Sequence, residues 1–167
     1  MPGAKARLSG SSHCQFSIAE CQLASRVRGT MNADDLRDRT KQFAIRVLKL
    51  VAALPNTLSG RTVAGQLARS GTSVGSNYRA ACRGRSKAEF ISKLGIVEEE
   101  ADESAFWMEV IIEVGLLKKQ AVDPLLNEAN ELAKIMASSR ISASATLKRS
   151  LNRQLAIGNR KSQMTYG

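Results

Sequence analysis

The fold is decided by residues 86–115, which read SKAEFISKLGIVEEEADESAFWMEVIIEVG. Ser86, followed three residues later by Glu89, is a capping box, a pattern with which helices begin. Apolar or small side chains then recur every three or four residues, which places them on one face of a helix. The pattern predicts one helix of about 40 Å from Lys87 to Val114, at about 1.5 Å per residue, ending near Gly115. Its core-facing positions are Phe90, Leu94, Val97, Ala101, Ala105, Met108, Ile112 and Gly115.

Three other segments have the same helical period, and no segment shows the alternation of a strand. They cover residues 34–54, residues 60–82, and a stretch that begins with Asp123 and Pro124 as cap and first helical residue and fades around 138–140. Long helices joined by short links predict an all-α, antiparallel up-down-up-down four-helix bundle. The predicted core positions of these segments are Leu36, Thr40, Phe43, Val47, Leu50 and Leu54; Val63, Leu67, Ser70, Gly71, Val74, Tyr78 and Ala81; and Leu125, Ala129, Leu132 and Met136.

The second segment is rich in small residues. Gly65, Gly71 and Gly75 each cost a helix about 0.5–1 kcal/mol relative to alanine, so we expect a neighbouring helix to approach closely there. Gly84 is predicted to end this helix in the left-handed conformation. The resulting core is thin, and exposed apolar residues around it predict self-association. Those residues are Ile45, Ile91, Ile96 and Ile111.

The charge is concentrated in the two ends of the chain. Of the net charge of +10, residues 1–30 carry +3 and residues 138–167 carry +6 with no acidic residue. The composition therefore predicts a disordered leader over 1–30, a bundle over 31–140, and a mostly disordered basic tail over 141–167. Met31 is a natural start, which suggests that the leader is an upstream extension of the reading frame. Within the tail, leucines spaced by four residues leave a short helix over 145–156 open.

The composition argues against most enzyme classes. The chain has one histidine, His13, and three scattered cysteines, so we expect no catalytic residues, no metal and no cofactor. An enzyme with a carboxylate site is the weakest of the alternatives. No apolar run is long enough to span a membrane, and free thiols are typical of a reducing compartment, so we expect a cytoplasmic protein.

The turn between the second and third helices predicts a basic pole. Arg79, Arg83, Arg85 and Lys87 cluster there, and the bundle topology brings both chain ends to the same place. We interpret these four residues as candidate contacts for the phosphates of RNA or DNA. The alternative is a solvated turn, or one that is neutralised by a neighbouring subunit.

Several polar residues on the predicted bundle form a second candidate group. In antiparallel pairing, Arg69 faces the acidic part of the third helix, which predicts a salt bridge within the bundle or between subunits. Asn77 lies mid-helix and could fix the register of the bundle by a hydrogen bond across it. Tyr78 and Trp107 are interpreted as packing or interface residues. The polar bundle or interface positions are Arg69, Asn77, Glu99, Asp102 and Glu103.

Four stretches carry a resemblance to a known family. They are SGTSVGSNYRAA at 70–81, RGRSKAEF at 83–90, EEEADES at 98–104 with Trp107, and EANEL at 128–132. The middle of the chain, about 31–140, resembles the four helix bundle protein family, which is related to proteins encoded in 23S rRNA intervening sequences and to the accessory protein of diversity-generating retroelements.

The resemblance implies a small bacterial four-helix bundle that commonly forms a ring-shaped homopentamer. Its retroelement relative binds nucleic acid and a reverse transcriptase through a basic surface. From the residues and the resemblance together, we expect a non-enzymatic homo-oligomer that acts as an interaction or scaffold protein and contacts RNA or another nucleic acid through the basic pole. The alternative is a structural oligomer or protein-partner adaptor without nucleic-acid affinity.

Overall fold

The computed structural model describes the backbone of residues 32–165 and the side chains of residues 32–157. It contains four helices: α1 (Ala33–Ala52), α2 (Leu58–Ala81), α3 (Lys87–Glu113) and α4 (Lys119–Thr165). There is no strand in the described range, and each helix packs on the next one along the chain. The all-α four-helix bundle predicted from the sequence is therefore confirmed. The predicted leader, residues 1–30, lies outside the described residues.

The first two helices begin with side-chain caps. Asn32 Oδ1 accepts a hydrogen bond from the Asp35 backbone N–H at 2.8 Å, and the Asp35 carboxylate accepts one from the Asn32 N–H at 3.0 Å. Thr57 Oγ1 accepts from the Gly60 N–H at 3.1 Å. These bonds satisfy donors that have no partner inside the helix, so they fix where α1 and α2 begin.

The apolar periodicity of the sequence becomes a single core. The predicted positions of α2 are buried throughout, and those of α1, α3 and α4 are buried except at the C-terminal ends of α1 and α3. At the end of α3, Ile111 is fully buried and Ile112 only partly buried, so the prediction that Ile111 is exposed was wrong. In this last turn the core position follows Met108 by three residues rather than four, so Ile111 faces the core instead of Ile112.

Of the three glycines that the sequence singles out in α2, two lie where α1 approaches. A Cβ atom on Gly71 would lie 2.6 Å from Cγ1 of Val47, and one on Gly75 would lie 3.1 Å from the carbonyl oxygen of Thr40. A Cβ on Gly65 would meet nothing within 4 Å. The predicted close approach of a neighbouring helix is therefore confirmed at Gly71 and Gly75, and Gly65 has no such role.

The two ends of the α3 segment differ from each other. At its C-terminus Gly115 has φ = 73°, the Gly115 N–H bonds to the Ile112 carbonyl, and the Leu116 N–H bonds to the Ile111 carbonyl. This is a Schellman motif, as the predicted stop at Gly115 requires. Gly84, in contrast, does not have a positive φ, so the predicted left-handed conformation was wrong there. Its Cβ would lie 3.1 Å from the Ala81 carbonyl oxygen and 3.4 Å from the Phe90 nitrogen, so lack of space explains the glycine.

The fourth helix is longer than the sequence predicts at both ends. It begins at Lys119, so Pro124 lies inside its second turn. The helix starts early because Val122 is fully buried and extends the apolar face by one turn. It continues to Thr165, so the prediction that the helix fades around 138–140 was wrong. Residues 141–165 are helical in the structure, and they include the short helix over 145–156 that the sequence leaves open within the tail. We call these residues the C-terminal extension.

Candidate nucleic-acid interface

The four predicted phosphate contacts lie together at the turn between α2 and α3. Arg79 is in the last turn of α2, Arg83 and Arg85 are in the link, and Lys87 is the first residue of α3. The three arginines are exposed and Lys87 is half-buried. The turn between two packed helices therefore presents cations to solvent, as the sequence predicts.

The backbone of this turn is held by hydrogen bonds rather than by its basic side chains. The Ser86 hydroxyl oxygen accepts from the Glu89 N–H at 3.1 Å, as a capping box requires. The Glu89 carboxylate accepts from the Arg85 N–H at 2.8 Å, one residue earlier than in the standard box. The Glu89 carboxylate thus fixes the turn by binding the backbone N–H of Arg85. The guanidinium groups of Arg83 and Arg85 remain available for an anion.

The C-terminal extension adds positive charge at the same end of the bundle. Residues 144–151 of α4 and residues 88–92 of α3 line one shallow apolar groove of about 370 Å³. Lys148, which lines the groove, is exposed, as are Arg149 and Arg153, and residues 141–167 contain no acidic residue. We call the seven residues at this end the basic pole: Arg79, Arg83, Arg85, Lys87, Lys148, Arg149 and Arg153.

Acidic residues at the start of α1 offset this pole only in part. The Asp34 carboxylate pairs with Arg37 at 2.9 Å, and the Asp35 carboxylate is used in the cap of α1. Asp38 is exposed one turn further along. The pole therefore keeps a strong excess of positive charge, which is what an electrostatic contact with phosphates needs.

Arg69 belongs to a different cluster, between α2 and α3. Its guanidinium forms an ion pair with Glu103 and lies 3.7 Å from Glu100, as antiparallel pairing predicts. Trp107 Nε1 also donates to Glu103, at 3.2 Å. Glu99 and Asp102, the other acidic residues of the predicted group, are exposed on the outer face of α3 instead. Arg69 and Glu103 therefore link two helices of one chain.

Asn77 makes the polar link across helices that its mid-helix position predicts. Its amide nitrogen donates to the Ser73 hydroxyl at 2.9 Å, and its amide oxygen accepts from Lys93 Nζ on α3 at 3.4 Å. Tyr78, the next residue, is buried in the core. Neither residue is at the basic pole, so both act within the bundle.

Sequence reasoning missed two charged links to α4. Arg140 binds Glu98 of α3 through two nitrogens, at 2.7 and 3.2 Å. Arg39 of α1 binds Glu128 through two nitrogens, at 2.6 and 3.0 Å, and reaches Glu131 at 2.6 Å. The sequence offered one indication of these links, which is a basic residue next to a predicted core position, as Arg39 is next to Thr40. That indication does not identify the partner, which depends on the register between helices.

The Arg69 cluster lowers the pKa of Glu103. Partial burial of the Glu103 carboxyl raises its pKa, but hydrogen bonds from Arg69 and Trp107, together with the charge of Arg69, outweigh this effect. A carboxyl whose pKa is lower in the folded chain stabilises the fold above its unfolded pKa of about 4.3, and this stabilisation is lost as the pH falls through the folded value.

We therefore expect Glu103→Gln to lower the urea midpoint of unfolding at pH 7 and to make it less sensitive to acid. The wild-type midpoint should fall more steeply than that of the variant between pH 5 and pH 3, about the range over which a salt-bridged carboxylate loses its contribution. Unfolding followed by circular dichroism over this range measures the difference. Identical pH dependence in both proteins would contradict a coupling of Glu103 to folding.

The structure contains little else that could serve as a site. No group of histidine, cysteine and acidic residues within the described chain has the arrangement of a metal centre. A search of the same residues finds no helix with the length and apolar character to cross a membrane. The basic pole is thus the strongest candidate for contact with a ligand.

Comparison with known proteins supplies a family. The model described as 23S rRNA-intervening sequence protein matches residues 35–138. A crystal structure of a protein of unknown function from the S23 ribosomal protein family of Bacteroides thetaiotaomicron is 32% identical to this chain. The similarity covers 66% of this chain and 98% of the other, with a TM-score of 0.61. No curated protein matches.

Proposed function

We infer a function from the premise that this chain belongs to the 23S rRNA-intervening sequence protein family, and we propose that it is a non-enzymatic, self-associating scaffold that binds RNA through its basic pole. The family match covers residues 35–138, which include all of α2 and α3. The homopentamer implied by the resemblance is the assembly that we propose, in the cytoplasm.

The observation that carries this proposal is the accumulation of basic side chains at one end of the bundle. Four come from the α2–α3 turn and three from the C-terminal extension, and six of the seven are exposed. Phosphates attract such clusters without reading the base sequence, and binding releases counterions. A scaffold for structured or single-stranded RNA needs no more than this surface, repeated in each subunit of an oligomer.

We expect binding of a fluorescently labelled RNA to weaken with salt. If the four residues of the turn each contact a phosphate, log affinity should fall with log salt at a slope of about −3 to −4. Fluorescence anisotropy at several salt concentrations measures the slope. The variant Arg83→Glu/Arg85→Glu should bind more weakly and reduce the slope by about two, because two phosphate contacts are lost.

The matched control is Lys41→Glu/Lys49→Glu, which makes the same change in net charge on exposed residues of α1 away from the turn. Circular dichroism should show an intact helical fold in all three proteins. RNA affinity that is independent of salt, or equal in the two charge variants, would contradict the basic pole as the contact. Absence of RNA binding by the wild-type oligomer would favour the alternative, an adaptor or structural oligomer.

A further inference from the structure

The end of α4 leaves the bundle. Arg140 pairs with Glu98 in the middle of α3, and Leu151 lines the groove beside Ala88, at the start of α3. Residues 152–165 therefore continue beyond the N-terminal end of α3 for about 21 Å, at about 1.5 Å per residue. Residues 148–157 are all exposed.

A helix in this position needs a partner. Isolated helices are marginal in water, and most helices are stabilised by packing of an apolar face. The extension has large apolar side chains that remain in solvent. The most exposed are Ile141 at 63%, Leu151 at 50%, Leu155 at 67% and Ile157 at 51%.

The charge of the extension restricts the chemistry of that partner. It has no acidic residue, and Arg149, Arg153 and Ile157 recur every four residues along one face. A second extension would present the same positive charge and be repelled. The face with Arg149, Arg153 and Ile157 therefore fits an acidic surface with an exposed apolar centre.

The outer face of α3 has these properties. Five exposed residues recur there at intervals of three and four, which places them on one side of the helix. They form what we call the acidic stripe: Glu99, Asp102, Phe106, Glu109 and Glu113. None of its four carboxylates forms an ion pair within the described part of the chain.

Phe106 is at the centre of the stripe. It is 53% exposed, and its ring packs edge-on against Trp107 with the ring centroids 5.0 Å apart. The stripe spans about 21 Å along α3, and residues 141–157 span about 24 Å, at about 1.5 Å per residue. The stripe is therefore long enough to receive the face with Arg149, Arg153 and Ile157, which spans about 12 Å.

The extension cannot reach the stripe of its own chain. It points away from the bundle at the end where α3 begins, whereas the stripe lies further along α3 in the opposite direction. We propose that the C-terminal extension of one copy docks on the acidic stripe of a second copy. This inference rests on the self-association proposed above, and it concerns a segment outside residues 35–138 that the family model matches.

Such a contact joins two different surfaces, so each copy both donates an extension and accepts one. Contacts of this kind run head-to-tail and close into a ring when the rotation between copies allows it. The docking would cover Ile157, which shares a face with Arg149 and Arg153, and neutralise the stripe. Arg149 and Arg153 then face the stripe, and the four basic residues of the α2–α3 turn remain the contact for RNA.

Charge reversal in the full-length chain tests this contact. We expect Asp102→Lys/Glu109→Lys and Arg149→Glu/Arg153→Glu each to raise the dissociation constant of the oligomer by about tenfold or more, because like charges then face each other. Light scattering across a concentration series measures this change. An equimolar mixture of the two variants should associate more tightly than either variant alone, since each then offers the charge that the other lacks.

The control Lys41→Glu/Lys49→Glu should keep the mass of the wild-type oligomer, and circular dichroism should show all variants folded. If both reversals leave the mass unchanged, or if the mixture associates no more tightly than either variant alone, the docking is overturned while self-association stands. A wild-type chain that is monomeric throughout the series overturns both proposals. If the extension variant loses only RNA binding and keeps the mass of the wild-type oligomer, the docking is also overturned.

Discussion

Replacing Gly71 with alanine should destabilise the bundle by about 1–3 kcal/mol, the cost of overpacking a core. The new Cβ would lie 2.6–2.9 Å from three side-chain atoms of Val47, which is fully buried and stiff at χ1. The better helix propensity of alanine offsets only about 0.5–1 kcal/mol of this cost. Urea unfolding followed by circular dichroism gives the free energy.

The control for this substitution is the same change at Gly65, in the same helix. A Cβ there meets nothing within 4 Å, so Gly65→Ala should stabilise the fold by about 0.5–1 kcal/mol. The double variant Gly71→Ala/Val47→Ala should lose less than the sum of its single changes, because the two sites share one space. Equal effects at both glycines would mean that α1 does not approach α2 at Gly71.

Replacing Arg39 with methionine should cost about 2 kcal/mol of stability. The change removes three charged hydrogen bonds and leaves the Glu128 carboxylate, whose side chain is 18% exposed, without its partner. Removing one partner of a fully buried pair costs about 3–5 kcal/mol, and this pair keeps some contact with water. The contact between α1 and α4 is smaller than the contact between any helix and the next one along the chain. Arg39 therefore contributes directly to the closure of the bundle.

The comparison variant is Arg37→Met, which breaks the exposed pair with Asp34 in the same helix. We expect a change below about 1 kcal/mol, as is typical of surface pairs. In Arg39→Met/Glu128→Met the unpaired carboxylate is gone, so part of the lost stability should return. Equal unfolding free energies for the Arg37 and Arg39 variants would show that the α1–α4 contact is unimportant.

Part of the candidate site could be predicted from the sequence, and part depended on how the helices pack. That the basic residues of the α2–α3 turn would share one end of the bundle followed from connectivity, because consecutive antiparallel helices must turn there. That the cations of the C-terminal tail would join this pole followed from the same topology. That they would lie on a continuous helix did not follow, because the polar composition of the tail suggested disorder. The link from Arg69 to Glu103 was within reach of antiparallel pairing, whereas the partners of Arg39 were not.

The sequence by itself determined the helices and their buried faces, since a repeat of three and four residues and a cap such as Asn32 act within one or two turns of chain. Only the tertiary structure decided how the helices meet: the approach of α1 at Gly71, the closure of α1 on α4 through Arg39, and the start of α4 at Lys119 rather than Pro124. These features depend on distances between residues far apart in the chain, which a local pattern does not encode.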